Sequence, residues 1–164
     1  MYEKDEKIVH PIHGACRIKE ICQREQGAKQ VLYYSVVPFA DQGMTLMIPV
    51  EKAKEMGLRK VISEQEANEM MSQMQFVPAS LALEGDNKKR HSYYSLVCKS
   101  CDLMEMAGLL KELNDKEKTR GLAFSEKKVY QDVEKKLCSE IALAKAISMQ
   151  EAERCVEQAL FALV

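Results

Sequence analysis

Alternation of apolar and polar residues dominates the first 50 residues of the chain. Short runs with a period of two, the spacing of a half-buried β-strand, cover residues 7–10, 15–22, 31–37 and 44–48. In the second run the alternation slips by one residue before Ile21. The connections have hairpin length, so the pattern predicts a small antiparallel sheet of four or five strands, the size of an SH3-like or Tudor-like barrel.

Beyond residue 50 the apolar residues recur at helical spacing. A short helix is predicted over residues 50–56, stopping at Gly57. Ser63-Glu-Gln-Glu66 has the pattern of a capping box and starts a second helix, which should end before Pro78. A loop is expected over residues 78–87.

Three stretches after this loop also read as helices. Lys88-Lys-Arg90 leads into one, and Asp102 starts another, which ends at Thr119-Arg-Gly121. Ser125 is expected to cap a long helix, and Ser148-Met-Gln-Glu151 opens the last one.

These patterns together predict an α+β protein with two domains. Residues 1–57 are expected to form an N-terminal small antiparallel Tudor/SH3-like β-barrel. Residues 58–164 are expected to form an all-α helical C-terminal domain. A sheet of this size has little core of its own.

Composition narrows the range of functions. The chain has 164 residues, is 46% hydrophobic and 30% charged, and has a net charge of −1. It therefore has enough apolar mass for a core, and any nucleic-acid binding must be local rather than histone-like. Cations cluster at Lys88-Lys-Arg90 and Lys127-Lys128, with Arg120 just before the second cluster. Helix starts are natural phosphate sites, although such residues are also typical of an ordinary solvated surface.

No stretch approaches the roughly 20 apolar residues of a membrane span, and the charged start of the chain does not resemble a secretory signal. We therefore expect a cytoplasmic protein.

Catalytic and metal-binding patterns are weak. No phosphate-binding loop, zinc-protease or serine-hydrolase motif occurs, so no enzyme activity is predicted. A nucleophilic pair of Cys16 with His13 is formally conceivable. Cys98-Lys-Ser-Cys101 has the spacing of half a zinc knuckle but lacks two further ligands, so the six cysteines are expected to be reduced thiols without metal.

Five segments, in order along the chain, resemble the CarD/CdnL family of bacterial transcription regulators. The segments are Asp5-Glu-Lys-Ile-Val-His-Pro11-Ile-His-Gly14, Met44-Thr-Leu-Met-Ile-Pro49-Val, Ala53-Lys-Glu-Met-Gly57-Leu-Arg59, Lys118-Thr-Arg120-Gly121-Leu-Ala-Phe-Ser125-Glu-Lys127 and Leu137-Cys-Ser-Glu140-Ile-Ala-Leu-Ala144. The first part alone is also similar to the polymerase-binding module of the transcription-repair coupling factor.

The resemblance implies a mechanism with two partners and no cofactor. The Tudor-like domain would dock on the β subunit of bacterial RNA polymerase by pairing at a sheet edge. The helical domain would contact promoter DNA, through its backbone and minor groove, at the upstream edge of the melted bubble. Together they would stabilise the open complex without reading sequence, and the protein would be associated with the nucleoid. The same strand edge could pair with, or swap into, a second copy to give a homodimer.

The resemblance also carries over individual residues. The polymerase-binding residues implied are Arg24, Met47, which stands where many members have a second contacting arginine, and Pro49. The DNA-binding residues implied are Asn87, Lys88, Lys89, Arg90, Arg120, Lys127 and Lys128.

One family feature is missing, because the chain has no tryptophan. Asn87 occupies the position of the family's tryptophan wedge, and it offers no apolar plate for an unstacked base step. His91, Tyr93 or Tyr94 could replace the wedge by stacking. We therefore expect weaker DNA engagement or a different outcome at promoters. Two alternatives stay open: an adaptor that binds polymerase but not DNA, and a zinc or thiol-redox protein built on Cys98 and Cys101.

Overall fold

The computed structural model describes residues 1–78 and 86–161, which form two compact units. Contacts divide the chain into Met1–Val61 and Ile62–Val164, slightly later than the boundary expected after Gly57. The first unit is an antiparallel five-stranded sheet, and the second is helical. The predicted α+β fold class is thereby confirmed. The loop expected over residues 78–87 falls mainly on 79–85, outside the described residues.

The sheet is antiparallel throughout, with the spatial order β4-β3-β2-β1-β5. Its strands are β1 (Lys7–His10), β2 (Gly14–Gln26), β3 (Lys29–Pro38), β4 (Leu46–Pro49) and β5 (Arg59–Lys60). β2 and β3 form a hairpin much longer than their alternating patterns indicated. β5 was not foreseen, because two residues are too few to show a period.

A β-bulge explains the slip in the alternation of β2. The register of β2 against β3 shifts between Ile18 and Glu20, so that Lys19 is the extra residue. Ile18 is fully buried, and Ile21 still packs against the same core. The slip read from the sequence is therefore confirmed.

The core of the sheet unit is small and completed from outside the strands. Its buried members are Ile8, Cys16, Ile18, Tyr34, Val36, Ile48, Ala53 and Leu58. The Tyr34 hydroxyl accepts a hydrogen bond from the Tyr2 backbone N–H at 2.9 Å, and the Tyr2 hydroxyl donates to the Leu58 carbonyl at 3.2 Å. These two bonds close the core at its ends.

Burial contradicts the conceivable Cys16–His13 nucleophilic pair. Cys16 has no exposed surface, and its thiol donates to the Gly14 carbonyl at 3.3 Å. Burial raises the pKa of Cys16 to about 12, so the thiolate that a nucleophile needs does not form near neutral pH.

The helix predicted over residues 50–56 is wrong. The chain forms only a 3₁₀ turn at Val50–Lys52 and then irregular turns up to Gly57, which has φ of +88°. A segment this short cannot offset the cost of helix nucleation. Instead, burial of Ala53 and Leu58 in the sheet core holds the segment in place.

The helical unit contains five helices among the described residues. They are α1 (Glu64–Met74), α2 (Asn87–Ser100), α3 (Leu103–Thr119), α4 (Phe124–Lys145) and α5 (Met149–Phe161). Ser63 and Glu66 form the predicted capping box, with both hydrogen bonds present, and Asp102 caps α3. No helix in this part of the chain is long and apolar enough to cross a membrane.

The cap predicted for α4 is wrong. The helix begins at Phe124, one residue before Ser125, and its N-cap is Ala123. Alanine has no side-chain acceptor, and Glu126 provides a side-chain cap by accepting the Ala123 N–H at 3.2 Å. This carboxylate also has other partners, described below.

Two glycines of the sheet unit differ in how much room they have. Gly27 in the β2–β3 turn and Gly57 both have positive φ, but a Cβ on Gly57 would lie 3.2 Å from Pro11 Cγ, whereas Gly27 faces open space. We predict that Gly27→Ala costs about 1 kcal/mol in the free energy of unfolding. Gly57→Ala should cost about 1 kcal/mol more because of the close contact. Urea unfolding followed by circular dichroism measures both, and equal losses would contradict this account.

Candidate functional site

The polymerase-binding residues expected in the sheet unit lie near one edge of the sheet. β4 is an edge strand, with Met47 opposite Ser35 and Pro49 opposite Tyr33 of β3. Pro49 suits such a position, because proline has no N–H to donate to a further strand. An edge strand can accept another strand from a partner protein.

Arg24 lies on the exposed outer part of the β2–β3 hairpin. It pairs with Val31 of β3, two positions beyond Tyr33, which pairs with Pro49. Two strand positions correspond to about 7 Å. Arg24 itself lies on β2, so β3 also separates it from the β4 edge. Whether these residues contact polymerase stays a prediction.

The first turn of α2 carries the basic residues expected at DNA. Asp86 caps the helix by accepting the Lys88 N–H at 2.9 Å, and Lys88 and Lys89 are exposed. The Asn87 side-chain oxygen accepts a hydrogen bond from the Arg90 guanidinium. Asn87 therefore positions Arg90 at this turn.

Tyr94 connects this basic turn to α4. It lies one helical turn after Arg90, is only 2% exposed, and its hydroxyl donates to Glu126 Oε2 at 3.1 Å. A buried tyrosine cannot stack on DNA. Tyr94 therefore cannot take the place of the family's tryptophan wedge. His91 remains exposed, and Tyr93 is half-buried.

Glu126 is the common partner of three helices. Lys116 of α3 approaches the same Oε2 with its Nζ at 2.6 Å, while Glu126 itself belongs to α4 and Tyr94 to α2. Burial alone would raise the pKa of Glu126, but the hydrogen bonds from Lys116, the Ala123 N–H and Tyr94 outweigh it and lower that pKa. The carboxylate is therefore ionised at neutral pH and links the start of α4 to the middle of α2 through Tyr94.

Glu112 is a second buried carboxylate in the same region, and its pKa is shifted in the opposite direction to that of Glu126. Its Oε2 has no hydrogen-bond partner among the described residues. Burial and the nearby Glu126 raise the pKa of Glu112, while Lys116 and Arg90 act in the other direction. The positive charge of Arg90 therefore acts to lower the pKa of a buried carboxylate inside the helical unit.

The start of α4 presents a second group of cations and an exposed aromatic ring. Lys127 and Lys128 are exposed, and Phe124 is 74% exposed with Lys128 Nζ 4.7 Å from its ring centroid. Arg120 lies exposed at the end of α3, directly before this turn. Glu126 thus connects the two helices, α2 and α4, whose first turns carry the basic segments.

Phe124 is the residue that sequence reasoning missed. Phe124 belongs to one of the segments that resemble the family, and its position relative to the apolar stripe of α4 indicated that it is exposed. The buried stripe of α4 runs through Val133, Leu137 and Ile141, and Phe124 lies well off that stripe on a helical projection. A large aromatic side chain on the polar face of a helix, next to cations, is typical of nucleic-acid stacking.

Cys98 and Cys101, on which the zinc or thiol-redox alternative depends, lie at the end of α2. Cys101 is buried at the left-handed end of α2, with φ of +50°, and its thiol lies 3.6 Å from the Cys98 carbonyl. Among residues 1–78 and 86–161, no three metal-binding side chains group together.

Comparison with known proteins gives two matches to protein families. Residues 2–62 match the CarD-like/TRCF RID domain, and residues 80–157 match the CarD C-terminal domain. The chain is also 27% identical over 151 residues to a Bacillus subtilis (strain 168) protein named "Putative transcription factor YdeB". That alignment covers 92% of this chain and 97% of the relative.

Removing the charge of each buried carboxylate is predicted to affect the free energy of unfolding differently. Glu126→Gln should lower the free energy of unfolding by about 2 kcal/mol, because it breaks a partly buried ion pair and its hydrogen bonds. Glu112→Gln should leave stability unchanged or raise it, since it removes a charge that the fold disfavours. Urea unfolding at pH 7 measures both.

Acidification provides the check on this assignment. A carboxyl with a lowered folded pKa stabilises the fold above its ordinary value of 4.5, and that stability is lost as the pH falls through the folded pKa. The deficit of Glu126→Gln against the native chain should therefore shrink below pH 4.5. A deficit independent of pH would show that packing, and not the ion pair, was lost.

Proposed function

The chain belongs to the CarD family of transcription factors, and from this premise we propose a mechanism with two contacts. Membership of this family supports a role in transcription that involves RNA polymerase. The β4 edge, together with Arg24, binds the β subunit of RNA polymerase. The starts of α2 and α4 bind promoter DNA near the melted region and stabilise the open complex.

The observation that carries the proposal is the cluster of contacts at Glu126. It joins Tyr94 of α2, Lys116 of α3 and the first turn of α4. The two helices whose first turns carry the cations are thereby connected, on a protein whose net charge is only −1. Local positive charge of this kind favours phosphate contacts that do not read sequence.

The start of α4 adds to the same effect. Its N-cap, Ala123, has no side-chain acceptor, so free backbone N–H groups and the positive end of the helix dipole favour an anion there, whereas Asp86 already accepts the Lys88 N–H at the start of α2. The exposed ring of Phe124 offers an apolar surface for a base beside these phosphate contacts. This ring supplies an aromatic group that the chain, which has no tryptophan, lacks at Asn87.

The adaptor without DNA binding is the second candidate. It is favoured by Asn87, which is polar and is engaged with Arg90 where the family has its tryptophan wedge. The DNA experiment below separates the two candidates directly.

Charge reversal at Arg24 tests the polymerase contact. We predict that Arg24→Glu reduces retention of purified RNA polymerase on the immobilised full-length protein by at least about tenfold, as expected for a charged residue at the centre of an interface. Lys4→Glu, an exposed reversal in the same unit, should retain polymerase normally. Equal retention by both variants would remove Arg24 from the interface, and cross-linking of the native complex identifies the subunit.

A matched pair of double reversals tests the DNA contact. Lys89→Glu with Lys127→Glu should weaken binding to promoter DNA and lower the slope of log affinity against log salt by about 2. Acidic residues suit the first turn of a helix, so this variant should fold. Lys99→Glu with Lys135→Glu changes the net charge equally at exposed positions further along α2 and α4 and should bind nearly as the native chain does. Equal weakening in both variants would show only a net-charge effect, and no DNA binding by the native chain at low salt would favour the adaptor.

A further inference from the structure

A surface pocket of about 300 Å³ lies between α3 and α4, next to Lys127. Leu113, which is fully buried, contributes apolar surface to it, and Leu122 and Tyr130 are half-buried parts of its lining. A pocket of this volume is at the lower end of the range for small ligands. The apolar part of its lining, with the ring of Tyr130, offers a surface on which a flat ring could pack, and the rest of the lining is polar.

The polar groups of the pocket are those that recognise the edge of a nucleobase. Asn114 and Gln131 supply amide donors and acceptors. The Glu117 carboxylate adds an acceptor, and its position is fixed because its Oε2 accepts the Leu122 N–H at 2.7 Å. Amides read the edges of bases, and a carboxylate accepts hydrogen bonds from an exocyclic amino group.

The charges indicate which part of a nucleotide would enter. Glu117 and Lys127 both belong to the lining, so a phosphate is disfavoured on the side of Glu117 and favoured on the side of Lys127, which is part of the cationic first turn of α4. Phe124, Lys127, Lys128 and Gln131 are spaced as i, i+3, i+4 and i+7, so they share one face of α4. A nucleic-acid strand following this face would place its phosphates at the two lysines and a base at the pocket.

We propose that this pocket binds one unpaired base of the melted DNA strand, an inference that rests on the proposed DNA contact. The base must be unpaired, because pairing would occupy the edge that Asn114, Gln131 and Glu117 address. The carboxylate of Glu117 selects a base that carries an amino group over thymine. Burial, followed by the charges of Glu134 and Glu157, raises the pKa of Tyr130 to about 12, so this aromatic ring stays neutral beside the strand.

The test compares two forms of one promoter DNA, fully paired or with a short mismatched bubble, with 2-aminopurine placed in the bubble. The native full-length protein should bind the bubble about tenfold more tightly than the duplex, as expected for one base held by stacking and hydrogen bonds. The fluorescence of 2-aminopurine should change on binding. Gln131→Leu should reduce the preference for the bubble over the duplex.

Matched variants keep the result interpretable. Gln131 is exposed and leucine is a good helix former, so Gln131→Leu should fold, and Asn114→Leu provides a second variant from α3. Gln158→Leu, at an exposed position of α5, should retain the preference. Thymine throughout the bubble should bind more weakly than adenine.

Each outcome bears on a distinct claim. Equal binding of bubble and duplex by the native chain overturns the base pocket and leaves the DNA contact standing. Absence of binding to either form overturns both the DNA contact and the pocket. Competition by free deoxyadenosine monophosphate at micromolar concentration would overturn the proposal in favour of a pocket for a free nucleotide.

Discussion

The carboxylate of Glu126 is the interaction on which the helical unit's candidate surface depends. It accepts hydrogen bonds from Tyr94, Lys116 and the Ala123 N–H, which belong to α2, α3 and the start of α4. A buried carboxylate is costly unless it is paired and hydrogen-bonded, and these three donors meet that requirement. The same contacts connect α2 and α4, the helices whose first turns carry the candidate DNA-binding cations. Stability and the candidate DNA contact thus share one group.

The proposed polymerase contact lies in the sheet unit and does not involve Glu126. Its core is built from alternating residues of the strands and is closed by Tyr2, Ala53 and Leu58 from outside them. β4 is left as an edge strand, and the hairpin that carries Arg24 extends past the end of β4. A partner strand could therefore add at this edge without disturbing the core.

The sequence was informative where a periodic pattern or a cap decided the structure. The alternation predicted the sheet and its slip before Ile21, and the helical patterns predicted the helices. The sequence was misleading at the start of α4, where the N-cap is Ala123 and Glu126 in the first turn provides the side-chain cap, and over residues 50–56, which are held by burial rather than helix propensity. The basic residues could be named from the sequence, but the contact that connects their helices could not, because Tyr94 and Glu126 are 32 residues apart. Phe124 and the pocket at Gln131 required the fold, since a pocket between two helices leaves no local pattern.

The central claim is that the starts of α2 and α4 act as one DNA-binding surface while β4 serves polymerase. Amide hydrogen exchange on the full-length protein, alone, with RNA polymerase, and with polymerase on promoter DNA, tests it most directly, because the amides of a helix's first turn have no partner within the helix. The account predicts slower exchange around β4 with polymerase alone, and slower exchange at both helix starts together once DNA is added. Protection of β4 with no change at either helix start on adding DNA would contradict it.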